Sequence, residues 1–111
     1  MLEITTTSAK DYTVLHVSGR ADSATSDDLE EAVKAQLQKG KAQLIFDLSN
    51  LDYASSSGLR VFVMAAKDTK ERGGALVLAG LTDNIRDIPS VSGCIYLFDI
   101  VGSVEDAIAA K

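Results

Sequence analysis

Apolar and polar residues alternate with period two in the first two segments of the chain. "LEITTTS" places Leu2 and Ile4 on one face, and "YTVLHVSG" places Leu15 and Val17 on one face. This alternation predicts two β-strands, and the polar "AKD" between them predicts a turn. The chain is therefore predicted to begin with a β-hairpin.

The next segment, "ADSATSDDLEEAVKAQLQKGK", has the period of a helix. Thr25 and Asp28 have the spacing of a capping box at its start, and Gly40 follows its last turn as a stop. The pattern predicts an amphipathic helix. Its predicted buried stripe consists of Leu29, Val33, Gln36 and Leu37.

Two short apolar runs, "QLIFDLS" and "ALVLAG" at residues 75–80, are typical of strands that are covered on both faces. Between them, "SSGLRVFVMAAKDTKERGG" repeats apolar residues at helical spacing, and Gly73 with Gly74 ends the helix. These segments predict a strand, a crossover helix and a second strand. The predicted buried stripe of the helix consists of Leu59, Phe62, Val63 and Ala66.

The last third predicts a short helix interrupted by Pro89, a strand at "CIYLFDI" and a final helix capped by Ser103. The predicted order is β β α β α β α β α. Because parallel neighbours need a long connection, we expect an α/β fold with a mixed central sheet of about five strands. The apolar middle strands and the polar side of the first helix indicate that the helices pack chiefly on one face.

The length of 111 residues, without a repeat or linker, predicts a single domain over residues 1–111. No apolar run approaches the roughly 20 residues that a membrane span requires. The N-terminal segment also lacks a basic stretch followed by a long apolar one, as a secretory signal would have. We therefore expect a cytoplasmic protein with no membrane insertion.

The charge of the chain argues against nucleic acid as a partner. The sequence has 16 acidic and 11 basic residues and a formal net charge of -5. Nucleic acids are bound by clustered Lys and Arg, whereas the basic residues here are scattered among acidic ones. A protein partner with a basic face fits the composition better.

Catalytic and metal chemistry find little support in the sequence. His16 is the only histidine and lies in a predicted strand, and "ASSSG" differs from the strained serine turn of hydrolases. The single Cys94 has no partner for a disulfide or a metal cluster. Asp47 ends a strand, as does the phosphoacceptor of receiver domains, but the acidic pair and the lysine of those domains are missing. We therefore expect no enzyme activity and no cofactor.

The serine segment "ASSSG" at residues 54–58 lies between an apolar strand and an apolar helix. One interpretation is that serine only caps the helix, because its oxygen accepts a backbone N–H bond. The other is that a hydroxyl there accepts phosphate, which the N–H groups and partial positive charge of a helix start stabilise. Gly58 favours docking in this second interpretation, since it removes a side chain that would crowd an approaching protein. The physical chemistry alone leaves both open.

Two long segments resemble the STAS domain family, and within it the single-domain bacterial anti-sigma factor antagonists. "VLHVSGRADSATSDDLEEAV" is similar to the family's entry into the first helix, and "LIFDLSNLDYASSSGLRVFVMAAK" to its Ser-Ser-Gly-Leu helix start. "RGGALVLAGLTDNIRDI" and "LFDIVGSVEDAI" keep the family pattern in order. The resemblance covers nearly the whole chain and implies the STAS fold.

The resemblance also implies a function. The unphosphorylated chain would bind a serine-kinase anti-sigma factor and release the sigma factor, and phosphorylation of Ser56 would switch this binding off. The partner would hold the ATP, and a phosphoserine phosphatase is a further expected partner. The alternative is a STAS subunit of a transport or signalling scaffold complex that docks without a phosphate cycle.

The family motif places an aspartate where this chain has Ser55, so Ser55 and Ser57 remain alternative acceptors to Ser56. The help that this aspartate gives to phosphate transfer in the family is missing here, or it comes from Asp22 or Asp52. The residues implied for partner binding are Asp22, Ser23, Thr25, Ser55, Ser57, Gly58 and Leu59.

Overall fold

The computed structural model of the protein describes residues 2–109. Within this range, six strands form one sheet: β1 (Leu2–Ala9), β2 (Tyr12–Ala21), β3 (Gln43–Asp47), β4 (Leu51–Ala54), β5 (Ala75–Ala79) and β6 (Asp99–Val101). The helices in the same range are α1 (Ser26–Gln38), α2 (Ser56–Glu71), α3 (Asp83–Arg86), α4 (Pro89–Ser92) and α5 (Val104–Ala109). A 3-10 turn covers Ile95–Leu97.

The sheet is mixed, as predicted, and runs in the order β1-β2-β3-β5-β6. The antiparallel pairing of β1 with β2 confirms the predicted hairpin, and the other pairings are parallel. Strand β2 is long enough to have two neighbours on one side. Its residues 13–16 pair with β3, and its residues 19–21 pair with β4.

Strand β4 adds a sixth strand that the hydrophobic pattern did not predict. It has only four residues, and Asp52 and Tyr53 interrupt its apolar character. Its partner is the distant end of β2, so no local signal marks it. The position of β4 matters because the strand ends immediately before the start of α2.

The helices cover the two faces of the sheet unequally, which confirms the prediction that they pack chiefly on one face. The larger core joins α1, α2, α3 and α4 to one face of the sheet, and Phe46 and Phe62 meet at its centre with ring centroids 5.3 Å apart. The smaller core joins α5 to the other face around Val14 and Ile45. Strand β2 is therefore buried on both faces near its middle.

Two predicted helical details are wrong. Thr25 precedes α1, but its side chain makes no capping bond to that helix, so the predicted capping box with Asp28 is absent. In α2 the buried stripe is rotated about the helix axis relative to the predicted one. Val63 and Ala66, which were predicted to be buried, are only partly buried. The fully buried residues of α2 are Gly58, Leu59, Val61, Phe62, Ala65 and Thr69.

The C-terminal region follows the predicted order with a shorter strand. Pro89 is the first residue of α4, the second of two short helices, and the hydroxyl of Ser103 accepts from the N–H of Asp106 at the start of α5. Of the predicted strand "CIYLFDI", only the last residues join the sheet, and the segment before them is the 3-10 turn. That turn leaves Tyr96 and Leu97 exposed.

Candidate functional site

Helix α2 begins at the serine segment, and Ser55 caps it. Ser55 has an extended backbone (φ -88°, ψ 177°), and its hydroxyl oxygen accepts from the N–H of Gly58 at 3.4 Å. This cap satisfies an N–H group that has no acceptor within the helix. The N–H of Ser55 donates to the carbonyl oxygen of Ala21 at 2.8 Å. The start of α2 is therefore joined to the end of β2.

The three candidate serines differ in exposure. Ser56, the first residue of α2, is exposed, whereas Ser55 and Ser57 are partly buried. Ser55 also uses its oxygen in the helix cap. The capping interpretation of the segment therefore applies to Ser55. Ser56 presents the most accessible hydroxyl, at the helix end where N–H groups and the helix dipole stabilise a negative group.

Gly58 is required for close packing rather than for access by another protein. It is buried, and a Cβ built on it would lie 2.8 Å from the Cβ of Ala21 and closer still to the carbonyl oxygen of Ala21. Any side chain at this position would push α2 away from the end of β2. The sequence-based explanation of Gly58 as a clearance for a docking partner is wrong.

The turn between β2 and α1 lies beside the start of α2 and is closed by Thr25. The Thr25 hydroxyl donates to the carbonyl oxygen of Arg20 at 2.8 Å and accepts from the N–H of Asp22 at 3.0 Å. The Asp22 carboxylate accepts from the N–H of Ala24 at 3.0 Å. Thr25 is buried, so it shapes the turn, while Asp22 and the exposed Ser23 form its surface.

The pKa of the Asp22 carboxyl lies below its ordinary value. Burial raises this pKa, but the hydrogen bonds from Ala24 and Thr25 and the positive charge of Arg20 outweigh that effect. Asp22 is therefore ionised near neutral pH and contributes a negative charge to the surface next to the start of α2.

The residues implied for partner binding thus separate into two groups. Asp22, Ser23, Ser55 and Ser57 are at least partly accessible, together with Ser56, whereas Thr25, Gly58 and Leu59 are buried. The buried group can act on a partner only by shaping the backbone. Two further residues border the site, Arg20 and Tyr53, whose side chains stack with 4.4 Å between the guanidinium carbon and the ring centroid. Sequence reasoning missed them because their contact depends on the pairing of β2 with β4.

A second polar cluster lies on the face of the sheet that α5 partly covers. His16 Nε2 is 2.9 Å from the Thr7 hydroxyl oxygen, and His16 Nδ1 is 2.7 Å from Oδ2 of Asp47. The other oxygen of Asp47 accepts from the hydroxyl of Ser49 at 2.7 Å. The half-exposed His16 thus connects β1, β2 and β3. This cluster lies near the middle of β2, whereas the serine segment is joined to the end of β2.

Asp47 should make the stability of the protein depend on acidic pH. Burial raises the pKa of the Asp47 carboxyl. Hydrogen bonds from Ser49 and His16 and the charge of His16 lower this pKa by a larger amount, so the net pKa is below the ordinary value. The bonded carboxylate therefore stabilises the fold fully above about pH 4, and this contribution is lost as the pH falls through the folded-state pKa.

We expect Asp47→Asn to be less stable than the parent by about 1 kcal/mol at pH 7, with a smaller difference at pH 3. Urea unfolding of both proteins at the two pH values measures this. A difference that stays constant or widens in acid would show that the ionised carboxylate is not the stabilising group. Asp22 titrates in both proteins, so its own effect cancels.

Within residues 2–109, no cluster of three or more His, Cys, Asp or Glu side chains is arranged to hold a metal ion. In that same part of the chain, no helix has the length and apolar character needed to cross a membrane.

The arrangement of a mixed sheet, a capped α2 and a serine segment at its start matches a known family along almost the whole chain. The STAS domain family model matches residues 3–107. The chain belongs to the STAS family. The fold that the sequence resemblance implied is therefore confirmed.

The proteins to which the chain is similar include several that are named as anti-sigma factor antagonists. A Bordetella bronchiseptica protein named as a candidate anti-sigma factor antagonist, BtrV, is 38% identical over 94 residues, which cover 85% of this chain and 81% of the relative. The anti-sigma-B factor antagonist of Listeria monocytogenes is 32% identical over 90 residues, covering 81% of this chain and 79% of the relative. A crystal structure of an anti-sigma factor antagonist from Mycobacterium paratuberculosis superposes with a TM-score of 0.86 at 22% identity, covering 99% and 93% of the two chains.

Proposed function

We propose that this STAS domain is an anti-sigma factor antagonist that is switched by phosphorylation of Ser56. The unmodified chain binds a serine-kinase anti-sigma factor, and the sigma factor is released. Support comes from the relatives that are named as antagonists and from the exposure of Ser56 at the first position of α2. This role places the protein in the cytoplasm, where sigma factors act, and a phosphoserine phosphatase restores the unmodified form.

The proposed chemistry needs only a hydroxyl from this chain. The Ser56 oxygen attacks the γ-phosphorus of ATP held by the partner. A new O–P bond forms, the bond from the γ-phosphorus to the bridging oxygen of ADP breaks, and the serine proton passes to a base of the partner. The chain is a substrate in this step and not an enzyme.

The accessible surface around Ser56 indicates the charge of the partner. Asp22 is ionised and lies next to the start of α2, and Asp52 in β4 is exposed. With a net charge of -5 for the whole chain, this surface favours a partner with a basic docking face. Ser23, Ser55 and Ser57 complete the proposed contact surface.

The decisive experiment combines phosphopeptide mass spectrometry with a kinase assay. The first locates phosphate on the protein purified from its native host. The second uses the kinase anti-sigma factor from the same genome with the parent chain, Ser56→Ala and the matched control Ser57→Ala. We expect phosphate on residue 56, loss of transfer in Ser56→Ala and retention in Ser57→Ala.

Other results of this experiment would reject the proposal. Phosphate found only on residue 55 or 57 would reject Ser56 as the acceptor. Absence of phosphate under all host conditions, with no binding of the kinase, would instead favour a docking subunit of a transport or scaffold complex.

Ser55→Asp should speed phosphoryl transfer to Ser56. The substitution keeps an oxygen that caps α2, and it introduces the carboxylate that the STAS resemblance places before the accepted hydroxyl. A carboxylate there can orient the hydroxyl or a metal ion bound with ATP, so we expect the rate to rise by about 100-fold, the lower end of the range for a positioned acid or base. Single-turnover assays with the kinase measure the rate, and Ser55→Asn provides the uncharged control. A rate for Ser55→Asp equal to or below that of the parent contradicts this role.

A further inference from the structure

Arg60 lies one helical turn after Ser56 on the exposed side of α2. Both residues are exposed, and they are separated by four positions in the same helix. Residues at this spacing have their Cβ atoms about 5–6 Å apart. Long side chains in a helix lean toward its N-terminal end, so the Arg60 side chain covers the turn that begins at Ser56.

The guanidinium of Arg60 has no hydrogen bond and no ion pair with any of the described residues 2–109. Its charge reaches Glu30 on the neighbouring helix α1, but Oε2 of Glu30 lies 2.7 Å from Nζ of Lys34. The hydrogen bond and the charge of Lys34 lower the pKa of Glu30 most, and the charge of Arg60 has a smaller effect. The five N–H donors of Arg60 are therefore available to a stronger acceptor.

The start of α2 has an excess of positive charge. Helices α1, α3 and α5 have acidic residues in their first turns, where a negative charge is stabilised by the helix dipole. The first turn of α2 has no acidic residue, and Arg60 follows that turn. A cation near the positive end of a helix is unfavourable unless an anion accompanies it. A phosphate on Ser56 supplies such an anion in the first turn.

Resting on the phosphorylation of Ser56 proposed above, we propose that Arg60 binds the phosphate group of phosphorylated Ser56. The phosphate carries a charge of about -1.5 to -2 near neutral pH and has three strong acceptor oxygens. A guanidinium can bind two of these oxygens through parallel hydrogen bonds. The order of the pair in the helix is the favourable one, since the anion lies four residues before the cation.

This contact changes the docking surface beyond the phosphate itself. The unmodified chain presents Arg60 as an exposed, unpaired cation among the described residues, one turn after Ser56. In the phosphorylated chain the guanidinium is held by the phosphate, so it no longer binds an acceptor on the partner. Phosphorylation therefore alters the charge of the surface at two positions of α2.

The test uses the full chain with phosphoserine genetically encoded at position 56, so that it does not depend on the host kinase. Phosphorus NMR follows the pH titration of the phosphate in the parent, Arg60→Gln and the matched control Lys67→Gln. Lys67 is also exposed on α2, but it lies about 16 Å along the helix axis from Ser56, beyond the range of effective charge interaction in salt.

Removal of a nearby cation raises the midpoint of the titration, because the cation favours the doubly charged phosphate. We expect the midpoint to rise by about half a pH unit in Arg60→Gln, a smaller shift than for buried pairs because both groups are exposed. The midpoint should stay unchanged in Lys67→Gln. Asp22 and Asp52 are present in every variant, so their effects on the phosphate cancel.

Two further measurements separate the contact from general effects. Arg60→Lys should recover part of the shift, because lysine keeps the charge but not the paired donors. Thermal melts of the parent and Arg60→Gln, each with and without the phosphate, form a double-mutant cycle. The phosphate should raise the melting midpoint more in the parent than in Arg60→Gln. The same melts show that the variant is folded.

An unchanged titration midpoint in folded Arg60→Gln would overturn the assignment. An equal rise in Lys67→Gln would do the same, because the general field of the chain would then account for the titration. If the expected rise is found but the host never phosphorylates Ser56, the proposed function fails while the Arg60 assignment stands. If the host phosphorylates Ser56 and no rise is found, only the Arg60 assignment fails.

Discussion

Replacement of Gly58 by alanine is expected to destabilise the protein by about 3 kcal/mol. The new Cβ would lie 2.8 Å from the Cβ of Ala21, and the carbonyl oxygen of Ala21 is closer still. Neither atom is at the end of a flexible side chain, so the first turn of α2 and the end of β2 must separate. In an open helix the same substitution would be stabilising, since alanine is the better helix former. Urea unfolding measures both the sign and the size of the effect.

Two other glycines provide controls for Gly58→Ala. Gly73 has φ +80° and no atom within 4 Å of a built Cβ, so Gly73→Ala should cost only the backbone strain, about 1–2 kcal/mol. Gly74 packs against Ala42 as tightly as Gly58 packs against Ala21, but at the other end of α2. Gly74→Ala should therefore be as destabilising without changing the serine segment. Stability of Gly58→Ala equal to that of the parent would contradict the packing role of Gly58.

The predicted elements with strong local patterns are present in the structure. Strands β3 and β5 are continuous apolar runs, and helices α1 and α2 repeat apolar residues every three or four positions. Each of these patterns lies within a single element, so the local sequence is sufficient to predict the element. "CIYLFDI" was ambiguous, because a short apolar run also fits a turn whose residues pack only partly. Strand β4 was not predictable, because it has only four residues and Asp52 and Tyr53 interrupt its apolar character.

The features of the candidate site also fall into two groups, those that the local sequence predicts and those that it does not. The serine segment and its position at a helix start follow from the local sequence, since a cap and an apolar stripe mark that start. The packing of Gly58 on Ala21 and the stacking of Arg20 on Tyr53 could not be predicted. Both contacts are made only when the end of β2 pairs with β4. The resemblance to STAS domains implied the family, but it does not reveal what a residue particular to this chain contacts.

Phosphate on Ser56 should weaken binding to the kinase anti-sigma factor by about 100-fold, or 2.7 kcal/mol, while the fold stays nearly as stable. The phosphate lies at the start of α2, where N–H groups and the helix dipole stabilise it, so thermal melts should show an unchanged or slightly higher midpoint. Binding suffers because the group is large, must lose water on docking and adds negative charge beside Asp22.

Variants of Ser56 separate these causes. Ser56→Asp adds one charge and little bulk, so it should weaken binding about tenfold, whereas Ser56→Ala should bind like the unmodified chain and accept no phosphate. Ser8→Asp is the matched control, because Ser8 pairs with Thr13 at the beginning of β2, and the start of α2 is joined to its end. It adds the same charge far from the serine segment and should leave binding unchanged. Calorimetric titration of each form with the kinase gives the affinities. Equal affinity of the phosphorylated and unmodified chains would show that Ser56 lies outside the docking surface.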